Sequence, residues 1–394
     1  MGSFGRHRIA DFALDPGITY LNHGTVGAPP RAVLERQRAI RDEIERQPSR
    51  FLLRELTRTA VVGAPLPGPS RTRAAAAAVA EFVGARGEDL VFVDNATMGA
   101  NTVLRSLPLR PGDEIVTTAH VYGGVRNAAR FAGRLHGATV RLVDLPDPGL
   151  GPGATADAVV GALGPRTRIL VLDHITSGSA LILPVREITA RTRAKGIPVF
   201  VDGAHAPGAI PLDIASLDVD WYSATLHKWT FTPRSCGFLW VSRERREGLH
   251  PRVISWGLDQ GLHEEFDLVG TRDPSAYLTA PDAIAWMRKE GVAEVQGYNH
   301  ALVWEATQYL TRQWRTSFSA PESMIGTMAT IPLPDRAGST RADADRLRDG
   351  LLFEDRIEIE LHEGNGKLWV RLSAQIYNDM TDVERLSAAI LARI

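Results

Sequence analysis

Seven short apolar runs recur through the middle of the chain, each closing on a polar or small residue: DLVFVD (89–94), DEIVTTAH (113–120), TVRLVDL (139–145), RILVLDHI (168–175), IPVFVDG (197–203), VDWYSAT (219–225) and GFLWVS (237–242). Their length and their β-branched and aromatic content predict buried strands. Helix-length segments separate several of them; one is VREITARTRAKG (185–196), whose final glycine is placed to cap a helix C-terminus. Strands alternating with helices predict a mainly parallel sheet with both faces covered, and in such sheets ligands bind beyond the carboxyl ends of the strands. Further on the pattern changes: KLWVRLSAQ (367–375) nearly alternates, as a half-buried strand does. The residues that follow each run are therefore the first place to look for chemistry.

Composition narrows the class. The chain has 394 residues, beyond the roughly 250–300 at which one core stops growing, so two lobes are expected. A hydrophobic fraction of 44%, a charged fraction of 23% and a net charge of −1 argue against a disordered tail, a nucleic-acid-binding face or a polybasic membrane patch. The single cysteine, Cys236, excludes an internal disulfide and a multi-cysteine metal cluster, and a cytoplasmic protein with no metal centre is expected. The opening MGSFGRHRIADFALDPG has basic residues but no apolar core of a signal peptide, and its Arg6 stands where a myristoylation signal needs Ser or Thr. VVGAPLPGPSR (61–71) reads as a flexible loop near a pocket mouth, and no internal repeat is visible.

Three strand tips carry candidate chemistry. After VFVD comes NATMGANTVLRSL (95–107), where Asn95 can cap a helix and the amides of Ala96, Thr97 and Met98, with the Thr97 hydroxyl, would cradle an anion; the alternative is an ordinary N-cap. After IPVFV comes DGAHAPG (202–208), with Asp202 at the end of a buried strand among small residues; a turn aspartate and a packing histidine at His205 are the plain alternatives. Lys228, in YSATLHKWTF (222–231), follows the next strand among apolar neighbours, where an ammonium is costly unless paired, neutral or covalently modified. A phosphate cradle, a carboxylate and a lysine on one sheet edge together suit pyridoxal 5′-phosphate, whose aldehyde forms a Schiff base with lysine.

DGAHAPGAIPLDI (202–214) followed by DWYSATLHKW (220–229) resembles the cofactor signature of the class V aminotransferase-fold enzymes of fold type I. YLNHGTVGAPPRAV (20–33), FLLREL (51–56), NATMGAN (95–101), TTAHVYGGVRNA (117–128), ITSGSALILPVREI (175–188), GTRDPSAYLTAPDAI (270–284) and VRLSAQIYN (370–378) extend the resemblance, in order, to the isopenicillin N epimerase-like branch. The resemblance implies an α/β fold: a large cofactor domain over about 31–262 with a mainly parallel seven-stranded sheet, and a smaller α+β domain from residues 1–30 and 275–394.

It also implies roles. Lys228 would bind the cofactor and shuttle the Cα proton of an amino-acid substrate, and Asp202 would pair with the pyridine nitrogen. Ala96, Thr97, Thr225 and His227 would surround the phosphate, and His205 would lie near the ring's phenolic oxygen. Tyr122 would cover the ring, with His120 as its competitor. Arg371 would clamp the substrate carboxylate, Asn22 and His23 would lie in a loop over the pocket, and Thr271 with Arg272 would reach the neighbouring site of a homodimer. TPRSCGF (232–238) departs from the wider family in lacking glycine after the basic residue, and Cys236 sits too near the lysine for desulfurase chemistry, so a packed thiol is expected. Three fates of the Cα carbanion share these residues: β-elimination from a cysteine conjugate in bacterial specialised metabolism, epimerisation and transamination. Elimination asks least of the site and is preferred; a non-catalytic cofactor-binding protein is the reading from another class.

Overall fold

A computed structural model describes residues 4–58 and 67–394. In chain order its strands are β1 (Thr19–Tyr20), β2 (Leu90–Val93), β3 (Glu114–Thr118), β4 (Thr139–Val143), β5 (Thr167–Asp173), β6 (Val199–Asp202), β7 (Trp221–Thr225), β8 (Gly237–Val241), β9 (Met328–Pro332), β10 (Ile357–Glu358), β11 (Glu360–Gly364) and β12 (Lys367–Ser373). All seven runs predicted as strands are strands. They form one sheet in the order β2-β8-β7-β6-β5-β3-β4, parallel except for β8, which runs antiparallel to both β2 and β7. Every residue of β2, β3, β6 and β7 is buried, whereas β4, at one edge, is largely exposed. This is the burial expected of a sheet with helices on both faces.

The helix Ala96–Ser106 sits close on that sheet because Gly99 lets it: a Cβ there would lie 2.0 Å from Ser223 Oγ on β7. The expected helix over 185–196 runs Val185–Arg193, and Gly196 follows at φ 68, inside the turn rather than at the cap. In the loop predicted over 61–71, residues 61–66 lie outside the described residues, and the rest ends in an N-cap, Ser70, whose hydroxyl accepts from the Arg73 amide at 3.3 Å.

A second, antiparallel sheet has the order β11-β12-β9, backed by the helices Val292–Trp314 and Met380–Arg393. The N-terminal arm joins this part of the molecule, since β1 pairs in parallel with β10. The short helix Ser275–Leu278 packs back on Arg31–Arg46, with Gln37 donating to Ser275 Oγ at 3.1 Å. One apolar cluster runs through both sheets, from Leu172 and Val201 to Leu21, Val370 and Leu386.

Candidate active site

The tips of β5, β6 and β7 stand side by side, with Asp173 opposite Asp202 and Asp202 opposite Ser223 in the parallel register. Beyond them lies a cavity of about 220 Å³ lined by Asp173, Asp202, His205, Thr225, His227 and Lys228 from the sheet edge. Asn95, Ala96, Thr97 and Tyr122 line it from the helix starts, with Thr25 from the arm and Ser177 from the turn after β5. The strand-end rule thus brings most of the expected residues into one space.

Lys228 borders this cavity along part of its side chain, and its Nζ lies 3.1 Å from His205 Nε2. Among the described residues no carboxylate is within ion-pair distance of it. Loss of water, reinforced by the positive charge of Arg371 and only partly offset by Asp202, pushes the amine down to about 7. The indole Nε1 of Trp229 donates to His205 Nδ1 at 3.4 Å, which leaves the imidazole proton on Nε2, facing a lysine able to accept it. Burial and the neighbouring cations hold His205 well below the usual histidine range, and the same causes bring His227 down to about 4.

Asp202 is buried, and its Oδ1 accepts from the Ala204 amide at 2.9 Å. Its Oδ2 makes no hydrogen bond among the described residues and is left for a ligand. Asn95 caps its helix as predicted, accepting from Met98 at 2.9 Å, but this corrects the three-amide cradle. The Met98 amide is engaged by the cap, and the Ala96 amide donates to Thr225 Oγ1 at 3.3 Å. The amide and hydroxyl of Thr97 remain, close to the buried and unpartnered Nδ1 of His227.

Arg371, on β12, is buried rather than on a surface, and its guanidinium is held in place by neutral oxygens. Nη1 donates to the Ser177 carbonyl at 2.8 Å and Nη2 to Thr25 Oγ1 at 2.6 Å and Asn22 Oδ1 at 3.4 Å, while Nε is buried without a partner. No carboxylate neutralises it among the described residues. A site for an incoming carboxylate is consistent with that deficit.

Other expected residues fall elsewhere. His23 does not line the cavity: its ring is fully buried, with Nδ1 2.7 Å from Tyr377 Oη and Nε2 2.9 Å from the Lys228 carbonyl, so it holds the lysine turn from behind. Asn22 is likewise withdrawn, donating to Glu358 Oε1 at 3.0 Å, and Thr25 takes the place facing the cavity. Gly27 brings this arm against the lysine turn; a Cβ there would meet the His227 carbonyl at 1.9 Å. Between the two candidates for the ring face, Tyr122 lines the cavity, whereas His120 turns to Ser179 Oγ at 2.7 Å. Arg272 pairs with Asp94 of the same chain at 3.0 Å, and Thr271 is exposed. Cys236 is fully buried, and burial pushes its thiol up to about 12. Beside it, Ser235 adopts φ 65, the left-handed conformation for which glycine is the unstrained residue.

Asp173, Thr25, Ser177 and Tyr377 were missed from sequence. Asp173 carried a usable signal, a carboxylate closing a buried apolar run just as Asp202 does. The others are hydroxyl residues in no distinctive pattern.

The donor set fits pyridoxal 5′-phosphate: a free carboxylate oxygen for the ring nitrogen, an unpaired lysine, and a helix N-terminus with an orphaned histidine nitrogen for the phosphate. Comparison with known proteins agrees. Residues 70–386 match the family model described as aminotransferase class-V. A probable chloroplastic L-cysteine desulfhydrase from Arabidopsis thaliana is 32% identical, with 95% of this chain and 83% of that protein covered. The isopenicillin N epimerase of Streptomyces clavuligerus is 31% identical, with 96% and 95% covered. The apo structure of a cysteine desulfurase from Thermococcus onnurineus NA1 superposes with a TM-score of 0.79 at 17% identity, covering 100% of this chain and 99% of that one, and so shares the fold. Among the described residues no helix is long and apolar enough to cross a membrane. The chain belongs to the class V aminotransferase family, in the branch that holds the desulfhydrases and the epimerase, and is a pyridoxal-phosphate-dependent enzyme of fold type I.

Proposed function

We propose that the protein is a β-eliminating lyase that breaks the C–S bond of an S-substituted cysteine. The observation that carries this reading is Lys228, an amine brought down to about 7 with no carboxylate partner among the described residues, in one cavity with Asp202 and with Thr25 and Ser177, whose oxygens hold Arg371 behind the lining. When bound, the cofactor supplies an aldehyde for amines and a ring that accepts the electron pair left at Cα. Lys228 takes the Cα proton on Nζ, a base already stripped of most of its hydration. Asp202 faces the ring nitrogen with its free oxygen and holds its charge. Arg371 binds the substrate carboxylate through Nη1 and Nη2 in place of its present neutral partners, which fixes the bonds at Cα relative to the lysine. The Cβ–S bond then breaks with the sulfur leaving as thiolate, and hydrolysis of the remaining enamine gives a keto acid and ammonia. Thr97, Thr225 and His227 hold the phosphate, His205 sits by the lysine, and Tyr122 lies over the ring.

An epimerase is the second reading, supported by the Tyr122 phenol at the cavity mouth, 46% exposed and so placed to exchange protons with water. The substrate is in either case a small molecule with an amino-acid group. A homodimer is part of the proposal, supported by the exposed Val253, Ile254 and Trp256, which are costly to leave in water. A cytoplasmic place in bacterial specialised metabolism completes it, supported by likeness to the Streptomyces epimerase. The test is incubation of the loaded enzyme with S-substituted cysteines and with one pure enantiomer in deuterated water. Keto acid, thiol and ammonia in equal amounts identify the lyase. Deuterium at Cα with loss of optical purity and no thiol identifies the epimerase.

A further inference from the structure

Asp173 is a second buried carboxyl group at this site, and no ion pair accounts for it. It closes β5 directly beside Asp202, its Oδ1 accepts only a long bond of 3.4 Å from the Tyr122 amide, and its Oδ2 is buried with no partner at all. Among the described residues no lysine, arginine or histidine is paired with it. A buried carboxylate without a cation or strong donors is too costly to persist as an anion. Burial raises Asp202 too, but it is better supplied, with the Ala204 amide at 2.9 Å and the charge of Lys228 opposing the rise.

We propose that Asp173 is a positioning residue held as an uncharged carboxylic acid, so that the ring nitrogen of the cofactor meets one anion, Asp202, rather than two. This rests on reading the cavity as the cofactor site. Asp173 lies beside Asp202 of β6 and the Tyr122 amide at the start of the helix Gly123–His136, and it shares the cavity lining with Lys228, His205 and His227. The two histidines are kept neutral by burial. Burial raises Asp173 well above the usual carboxylate range and the negative charge of Asp202 raises it further, with the Tyr122 amide only partly opposing. Two ionised carboxylates would over-stabilise a protonated ring nitrogen and repel each other; one ionised and one neutral group match a single positive charge. The neutral acid also keeps an oxygen on the Tyr122 amide, and with it the position of the aromatic ring above the cavity.

The experiment is infrared difference spectroscopy of the cofactor-free protein at pH 8, where the carbonyl stretch of a protonated carboxylic acid separates from those of carboxylates. Wild type should show one such band, Asp202→Asn should keep it, and Asp173→Asn should lose it. Absence of the band in wild type, or its loss in Asp202→Asn with retention in Asp173→Asn, overturns the assignment. Equilibrium unfolding supplies a second readout. An acid protonated when folded and ionised when unfolded makes stability fall with pH between the two pKa values, so the ratio of the Asp173→Asn to the wild-type folding constant should rise by about tenfold per pH unit above pH ~5. A ratio that does not change with pH between 5 and 8 also overturns it. Both measurements are made without cofactor. If borohydride failed to fix pyridoxal phosphate to Lys228, the cofactor reading would fall while the protonation of Asp173 stood or fell on its own data.

Discussion

Two cavities can be set against each other. One, beneath the loop around residues 246–265, encloses about 490 Å³; the other, at the strand tips, encloses about 220 Å³. The larger holds ionisable groups in plenty, and several of them are already paired. His250 Nδ1 lies 2.7 Å from Glu265 Oε2, Arg246 is paired with Asp89, and His263 faces the Glu88 carbonyl at 2.9 Å. His250, Asp259 and Glu265 could converge on a metal ion, yet the His250 side chain is 39% exposed and already bonded to Glu265. In the smaller cavity Lys228 and Asp173 have no ion-pair partner among the described residues and Asp202 and His227 each keep a free atom, while Arg371, bonded to the lining residues Thr25 and Ser177, has only neutral hydrogen-bond partners. Volume measures what fits, whereas an unmet electrostatic demand measures what is wanted.

The comparison can be broken most directly at Lys228. Lys228→Ala should lower turnover by roughly 10³-fold or more and abolish the imine absorbance of the loaded protein, because no other lysine lines the cavity. Borohydride trapping followed by peptide mapping checks the site of attachment. Arg371→Ala comes next. It should raise KM by roughly 10- to 100-fold, the value of a sheltered charge-assisted contact, with a smaller effect on kcat, and Arg371→Lys should recover little because a point charge cannot reproduce the two-pronged contact. Steady-state kinetics with any turned-over amino acid suffices.

A pH series sharpens the contrast. Lys228 falls from 10.5 to about 7 on burial, so between those values the folded apoprotein binds fewer protons than the unfolded chain, and this residue adds stability as pH rises through that window. Below about pH 7 the gain is absent. The stability difference between wild type and Lys228→Met, followed by chemical unfolding, should therefore grow from pH 7 toward 10 in favour of wild type. The smallest effect belongs to the larger cavity: His250→Ala should cost about 1 kcal/mol through the unpaired Glu265 and leave kcat/KM within about twofold. A tenfold loss of activity there would undo the comparison, since the larger cavity would then take part in catalysis.

Legibility followed the same division. The seven strands of the large sheet were readable because burial on both faces demands near-continuous apolar runs, and Lys228 and Asp202 stood out against that background. Strand order was not readable, since it depends on which helix crosses where. In the second sheet β12 was visible through KLWVRLS, whereas β9 and β11 carry no clear alternation, and MATIP ends in proline. His23 was misplaced for a related reason: a histidine near a pocket in sequence reads as a ligand until Tyr377 is brought to its Nδ1 from 354 residues away. Ser235 shows the converse. The sequence has no glycine there, and the backbone keeps the glycine-like conformation all the same.

The arm that fastens the lysine turn has a consequence for biosynthesis. His23 links the Lys228 carbonyl to Tyr377, and Thr25 links the cavity to Arg371, 346 residues further along. A ribosome releases these partners in order, first the arm, then the lysine, then the residues that lock both, over roughly 20–70 s at about 5–20 residues per second. The large sheet can pair as soon as β8 emerges, but the lysine turn has neither its clasp nor its substrate anchor until β12 and Tyr377 arrive. The substrate anchor is therefore the last part of the site to be made, after every residue that lines the cavity has left the ribosome.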